Sequence, residues 1–166
     1  MRVSSVALAA ALTIVCVSTS LTAQRPDDQI DARSLQLLAQ GKSARAAGNL
    51  DGATDLLETA VAVDPRNRAA FVVLGEVATA RGLPGKAIRL YREALLLEPN
   101  DVVALGGQGQ AMVAKGAVTR ARENLTKIKT LCKGACAEAT QLAAAIAKGP
   151  PITTAQVETK PAVSKE

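Results

Sequence analysis

Histidine and tryptophan are absent from the 166 residues, and Phe71 and Tyr91 are the only aromatic side chains. The lack of histidine removes the usual general base and the commonest metal ligand. Zinc wants four nitrogen or sulfur ligands, so neither a metal nor any other cofactor is called for. With one tyrosine and no glycine-rich phosphate loop between a strand and a helix, no catalytic residues are assigned and the chain is expected not to be an enzyme. The shortage of aromatic and β-branched bulk argues against a sheet core. It also leaves nothing to interleave with basic residues and stack on bases, which argues against a nucleic-acid partner.

What is present is alanine, leucine and valine, in a chain that is 48% hydrophobic with a net charge of +5. That is enough apolar surface for one core, built from helices that approach closely over small residues. The basic residues are scattered except between Lys115 and Lys133, where Arg120, Arg122, Lys127 and Lys129 pair off seven apart and suit a solvated helix face.

Arg2 followed by the apolar run Val3 to Val17 has the length and charge order of an export signal, and is short for a membrane span. Small residues follow, so residues 1–23 are read as a signal peptide cleaved after Ala23 or Ser20, giving a periplasmic or secreted product. Membrane association is expected only if that segment is retained. A lipidation site at Cys16 is disfavoured because Val15 stands where a small residue is wanted.

A period of 34 runs through the middle of the chain. Gly41, Gly75 and Gly109 keep it; so do Gly48, Gly82 and Gly116, then Ala53, Ala87 and Ala121, and then Leu57, Tyr91 and Leu125. Asp64-Pro65 recurs as Glu98-Pro99. Phe71, Leu74 and Ala78 form an i, i+3, i+7 stripe on a first helix, and Pro84 suits the opening turn of a second. Asn67 and Asp101 carry the side-chain oxygen that an N-cap needs. Three glycines within Leu105 to Gly109 should make the first helix of the third unit the weakest, unless packing or a ligand backbone comes close there.

Phe71, Leu74, Gly75, Ala78, Ala87, Tyr91, Ala94 and Pro99 fall on the eight signature places of the tetratricopeptide repeat family, which the chain resembles. The first unit matches through Leu37, Gly41, Ala44, Ala53, Leu57, Ala60 and Pro65, with Gln40 where leucine is usual. The third matches through Leu105, Gly109, Ala121 and Leu125; Gln108, Ile128 and Lys133 depart from the pattern, as a terminal unit would.

The resemblance implies an all-α solenoid, a right-handed superhelix of three helix hairpins at about 34–67, 68–101 and 102–135. A C-terminal capping helix at about 136–148 closes a domain of residues 24–148, with Leu142 and Ile146 inward and Glu138, Gln141 and Lys148 left for solvent. Residues 149–166 read as a disordered tail.

The family's concave groove implies partner-binding places at Leu35, Leu38, Lys42 and Arg45, at Ala69, Val72, Glu76 and Thr79, and at Val103, Gly106, Gln110 and Val113. Family members that grip a C-terminal carboxylate carry Lys, Asn and Arg where this chain has Leu38, Val103 and Gly107, which argues against that mode. The partner expected is another envelope protein or peptide. Cys132 and Cys136, with Gly134 in a turn between helices, are read as a structural disulfide tying the cap to the array. Two other classes stay open: an exported thiol-redox protein using those cysteines, and a basic binder of anionic polymer or lipid through Arg120, Arg122, Lys127 and Lys129.

Overall fold

The computed structural model describes residues 29–133 and 136–151. The signal segment, Cys16, Gly134 and most of the tail lie outside the described residues. Among the described residues seven helices follow in order: α1 (Ala32–Ala46), α2 (Leu50–Val63), α3 (Arg68–Ala80), α4 (Pro84–Leu97), α5 (Val102–Ala114), α6 (Val118–Cys132) and α7 (Ala137–Lys148). No strand is found among the described residues.

Each first helix starts and stops for a local reason. The side chains of Asp31, Asn67 and Asp101 accept from Arg33 N–H, Ala70 N–H and the paired N–H groups of Val103 and Ala104, satisfying donors that the helix itself leaves open. At the other end Gly48, Gly82 and Gly116 take φ of 77°, 69° and 84°. That left-handed turn lets the next amide reach back, from Asn49, Leu83 and Ala117 to the carbonyls of Ala44, Ala78 and Met112 at 2.9, 2.9 and 2.8 Å. The same Schellman closure thus recurs every 34 residues and reverses the chain into the second helix. Pro84 opens α4, where its missing N–H costs nothing.

The hairpins pack through small residues. Ala53, Leu57 and Ala60 of α2, and Ala87, Tyr91 and Ala94 of α4, are buried stripes facing α1 and α3. A Cβ placed on Gly41 would stand 2.6 Å from Leu57 Cγ, and one on Gly75 would stand 2.7 Å from Tyr91 Cζ. These glycines are where the second helix crosses the first.

In the third unit the pattern changes. Gly109 faces Leu142 of α7, 2.6 Å from a built Cβ, rather than Leu125 of its own unit. The cap therefore lies across α5 as well as α6, and Leu142 is fully buried. Gln108, out of place for the family, is buried too: its amide donates to Ile88 O at 3.4 Å, and Asn124 Nδ2 bridges Gln108 Oε1 and Leu105 O at 3.1 and 3.0 Å. The glycine-rich α5 runs unbroken from Val102 to Ala114 because packing does come close, from Tyr91 on one side and α7 on the other. Cys132 and Cys136 form a disulfide with Cα atoms 6.2 Å apart, spanning the left-handed Lys133 between α6 and α7.

Candidate functional site

The first helices α1, α3 and α5 line one face, where two cavities meet. A cavity of ≈ 340 Å³ lies between Lys42 and Arg45 of α1, Arg68, Ala69, Val72, Val73 and Glu76 of α3, and Val103 of α5. A second, of ≈ 380 Å³, is bounded by Glu76, Thr79, Ala80, Tyr91, Val103, Gly106, Gly107 and Gln110, with Glu138 and Gln141 of α7. Glu76 and Val103 border both, so the two cavities adjoin along one groove face.

Nine of the residues expected in a groove border these cavities: Lys42, Arg45, Ala69, Val72, Glu76, Thr79, Val103, Gly106 and Gln110. Three do not. Leu38 is 6% exposed and Val113 4%, each packed into a core cluster at its end of the array, because their helix positions point at the neighbouring hairpin. Leu35 is 48% exposed on the first turns of α1, beyond the cavities. Val72, although it borders the groove, is itself only 7% exposed, so its substitution acts on the core as well.

The groove has a polarity. Lys42, Arg45 and Arg68 gather at one end, Glu138 borders the other, and Glu76 lies between them. The Arg45 guanidinium pairs with Glu76 across α1 and α3, and Arg68 pairs with Asp101 at the foot of α5. Lys42 has no carboxylate partner among the described residues.

Sequence reasoning missed three contributors. Glu138 and Gln141, read as solvent-facing, form the wall at the C-terminal end of the groove, because α7 crosses α5 so closely that Glu138 Cβ lies 3.2 Å from a Cβ built on Gly106. Tyr91 belongs to α4, behind the groove, yet reaches it through a slot left by Gly75 and Gly107; a Cβ on either glycine would collide with the ring. Burial pushes the phenol pKa up, a hydrogen bond with Thr79 opposes that, and the charge of Arg45 opposes it further. The signal for this slot was Gly107, a glycine outside every 34-residue series.

Comparison with known proteins agrees with this geometry. Residues 38–101 match the profile "Tetratricopeptide repeat". A stretch of 76 residues is 41% identical to the cellulose synthase operon protein C of Xanthomonas axonopodis pv. citri (strain 306), covering 46% of this chain and 5% of that protein. Among solved structures, the Sgt2 TPR domain from Aspergillus fumigatus superposes with a TM-score of 0.66 at 22% identity, covering 82% of this chain and 89% of that one. The first TPR of Spaghetti (RPAP3), bound to the HSP90 peptide SRMEEVD, gives 0.66 at 20% identity, over 72% and 94%.

Proposed function

This chain is built of tetratricopeptide repeats, and from that premise we propose that it is a non-enzymatic docking scaffold receiving an extended peptide or a partner helix in its groove. The observation that carries the reading is that the two cavities adjoin at Glu76 and Val103, along one groove face bordered by α1, α3, α5 and α7. Pockets of this size with an apolar floor and a few fixed polar groups suit side chains of a bound segment. The Spaghetti domain holds an HSP90 peptide, SRMEEVD. Here Leu38, Val103 and Gly107 supply no cation for a chain-terminal carboxylate, so an internal segment is the better fit. Its acidic part would lie towards Lys42 and Arg68, its basic part towards Glu138.

The setting belongs to the same proposal: export by residues 1–23 into a bacterial envelope, with an envelope protein as partner. The Cys132–Cys136 bond supports it, since disulfides persist in oxidising compartments.

The test places a photo-crosslinking residue at Val103, which is 43% exposed and borders both cavities, or at Gln110. A defined partner should be trapped in the envelope from either site, and trapping from Gln110 should be lost in Val103→Glu with helicity unchanged. Equal trapping from Asp55, on the opposite face, would reject the groove.

A further inference from the structure

The joint between the first two hairpins is laced on its outer side by two ion pairs: Asp51 with Arg81 at 2.8 Å, and Glu58 with Lys86 at 3.1 Å. Thirty-four residues on, the cations recur as Lys115 and Arg120, whereas the carboxylates are replaced by Gly85 and Arg92. The geometry repeats: Lys115 Cε lies 3.9 Å from a Cβ built on Gly85, as a cation should lie over the place of Asp51. No carboxylate among the described residues pairs with Lys115 or Arg120, and Arg92 meets only its own neighbour Glu93, at 3.7 Å. The outer side of the joint between α4 and the third hairpin, the α4–α6 seam, thus carries cations in place of those ion pairs.

The net charge is concentrated in the third hairpin. Residues 115–133 hold six cations and one anion, a net of +5 that equals the charge of the whole chain, while the remaining residues balance fourteen against fourteen. Apolar side chains stand beside the cations. Arg89, Arg92 and Leu96 occupy one row of α4 at i, i+3 and i+7, and Leu96 is 70% exposed with Leu97 at 42%. Lys127 Nζ donates to Pro99 O at 2.7 Å, which ties α6 to the turn that follows α4.

We infer that the α4–α6 seam, on the face away from the groove, is a peripheral docking surface for an anionic lipid bilayer. Lys115, Arg120 and Arg92 would attract headgroup phosphates while Leu96 and Leu97 enter the interface, the combination by which basic apolar helices lie on membranes. Among the described residues no helix is long and apolar enough to cross one, so the contact is superficial. Nucleic acid fits poorly: the only aromatics are Phe71 and Tyr91, and neither belongs to the seam. A soluble polyanion would leave the exposed leucines without a role. This surface is independent of the groove.

The experiment measures partitioning of the full chain onto phosphatidylcholine vesicles with and without phosphatidylglycerol. The variant Gly85→Asp/Arg92→Glu restores the carboxylates found in the first joint. Both positions tolerate the change: Gly85 has room for a Cβ and Arg92 is exposed. Any partitioning through residues 1–23 is common to wild type and double variant, so the seam is read from the phosphatidylglycerol-dependent difference between the two proteins. The expected result is binding that requires phosphatidylglycerol, falls with salt and drops roughly a hundredfold in the double variant with an unchanged Tm, with a smaller loss in Leu96→Ser. Equal partitioning of wild type and double variant, or indifference to phosphatidylglycerol, overturns the proposal. So does strong retention on heparin without vesicle binding, which would assign the seam to a soluble polyanion.

Discussion

The amide of Asn67 donates to the hydroxyl of Ser34 across 2.8 Å, inside the joint between the first two hairpins. Both side chains are buried, and each makes a further hydrogen bond. Ser34 Oγ donates to Ala60 O at 2.7 Å, while Asn67 Oδ1 caps α3 at Ala70 N–H. Asn67→Ala removes the cap and leaves Ser34 without its donor. A loss of about 2 kcal/mol is expected, read as a lower urea midpoint with unchanged slope.

Asp64 makes stability depend on acid. The Arg66 side chain, then the backbone N–H groups of Asp31 and Arg66, hold its pKa at about 2, below the ordinary 3.8. A depressed folded-state pKa contributes stability that is complete above the unfolded value and lost as pH falls through the folded one. The urea midpoint should therefore decline between about pH 4 and pH 2. In Asp64→Asn that decline should be shallower, and the variant should be less stable at neutral pH.

Gly75→Ala and Gly107→Ala should each destabilise, although alanine is the better helix former, because the added methyl meets the Tyr91 ring. Overpacking costs about 1 to 3 kcal/mol against a propensity gain of about 1 kcal/mol. Combining either with Tyr91→Ala should cost less than the sum of the single changes, which thermal melts of the four proteins in each cycle would show. Strict additivity would mean that the ring does not fill the slot.

Removing the disulfide by Cys132→Ser should lower stability by about 2 kcal/mol, the chain-entropy value for so short a loop. The consequence should be confined to the end of the array, with amide exchange faster in α7 and unchanged in α1 to α3. Wild type should show no insulin-reducing activity; activity that vanishes in Cys132→Ser would favour a redox role instead.

The architecture was readable because its cause is periodic. Glycines at Gly48, Gly82 and Gly116 must take a left-handed conformation, and those at Gly41 and Gly75 must admit a crossing side chain, so each repeats with the unit that needs it. The groove was readable where it depends on the same repeat, at Lys42, Glu76, Val103 and Gln110. It failed where neighbours outside the period intervene. Leu38 and Val113 are drawn into the core at the two ends, and Glu138 gains its place only because α7 crosses α5, a tertiary fact with no counterpart in the spacing. Gln108 looked like a departure from pattern, and only the partner amide of Asn124 explains why a buried glutamine is tolerated.

The two joints solve one geometric problem with different chemistry. Ser34 and Asn67 meet as neutral groups; the residues 34 places later, Arg68 and Asp101, meet as opposite charges. Were the hairpins to assemble out of sequence, Ser34 would face a carboxylate with no cation to answer it, and Arg68 an amide that cannot neutralise it. Interchangeable modules would permit such shuffled stacks; these are keyed, and only one succession of units leaves every key in its own lock.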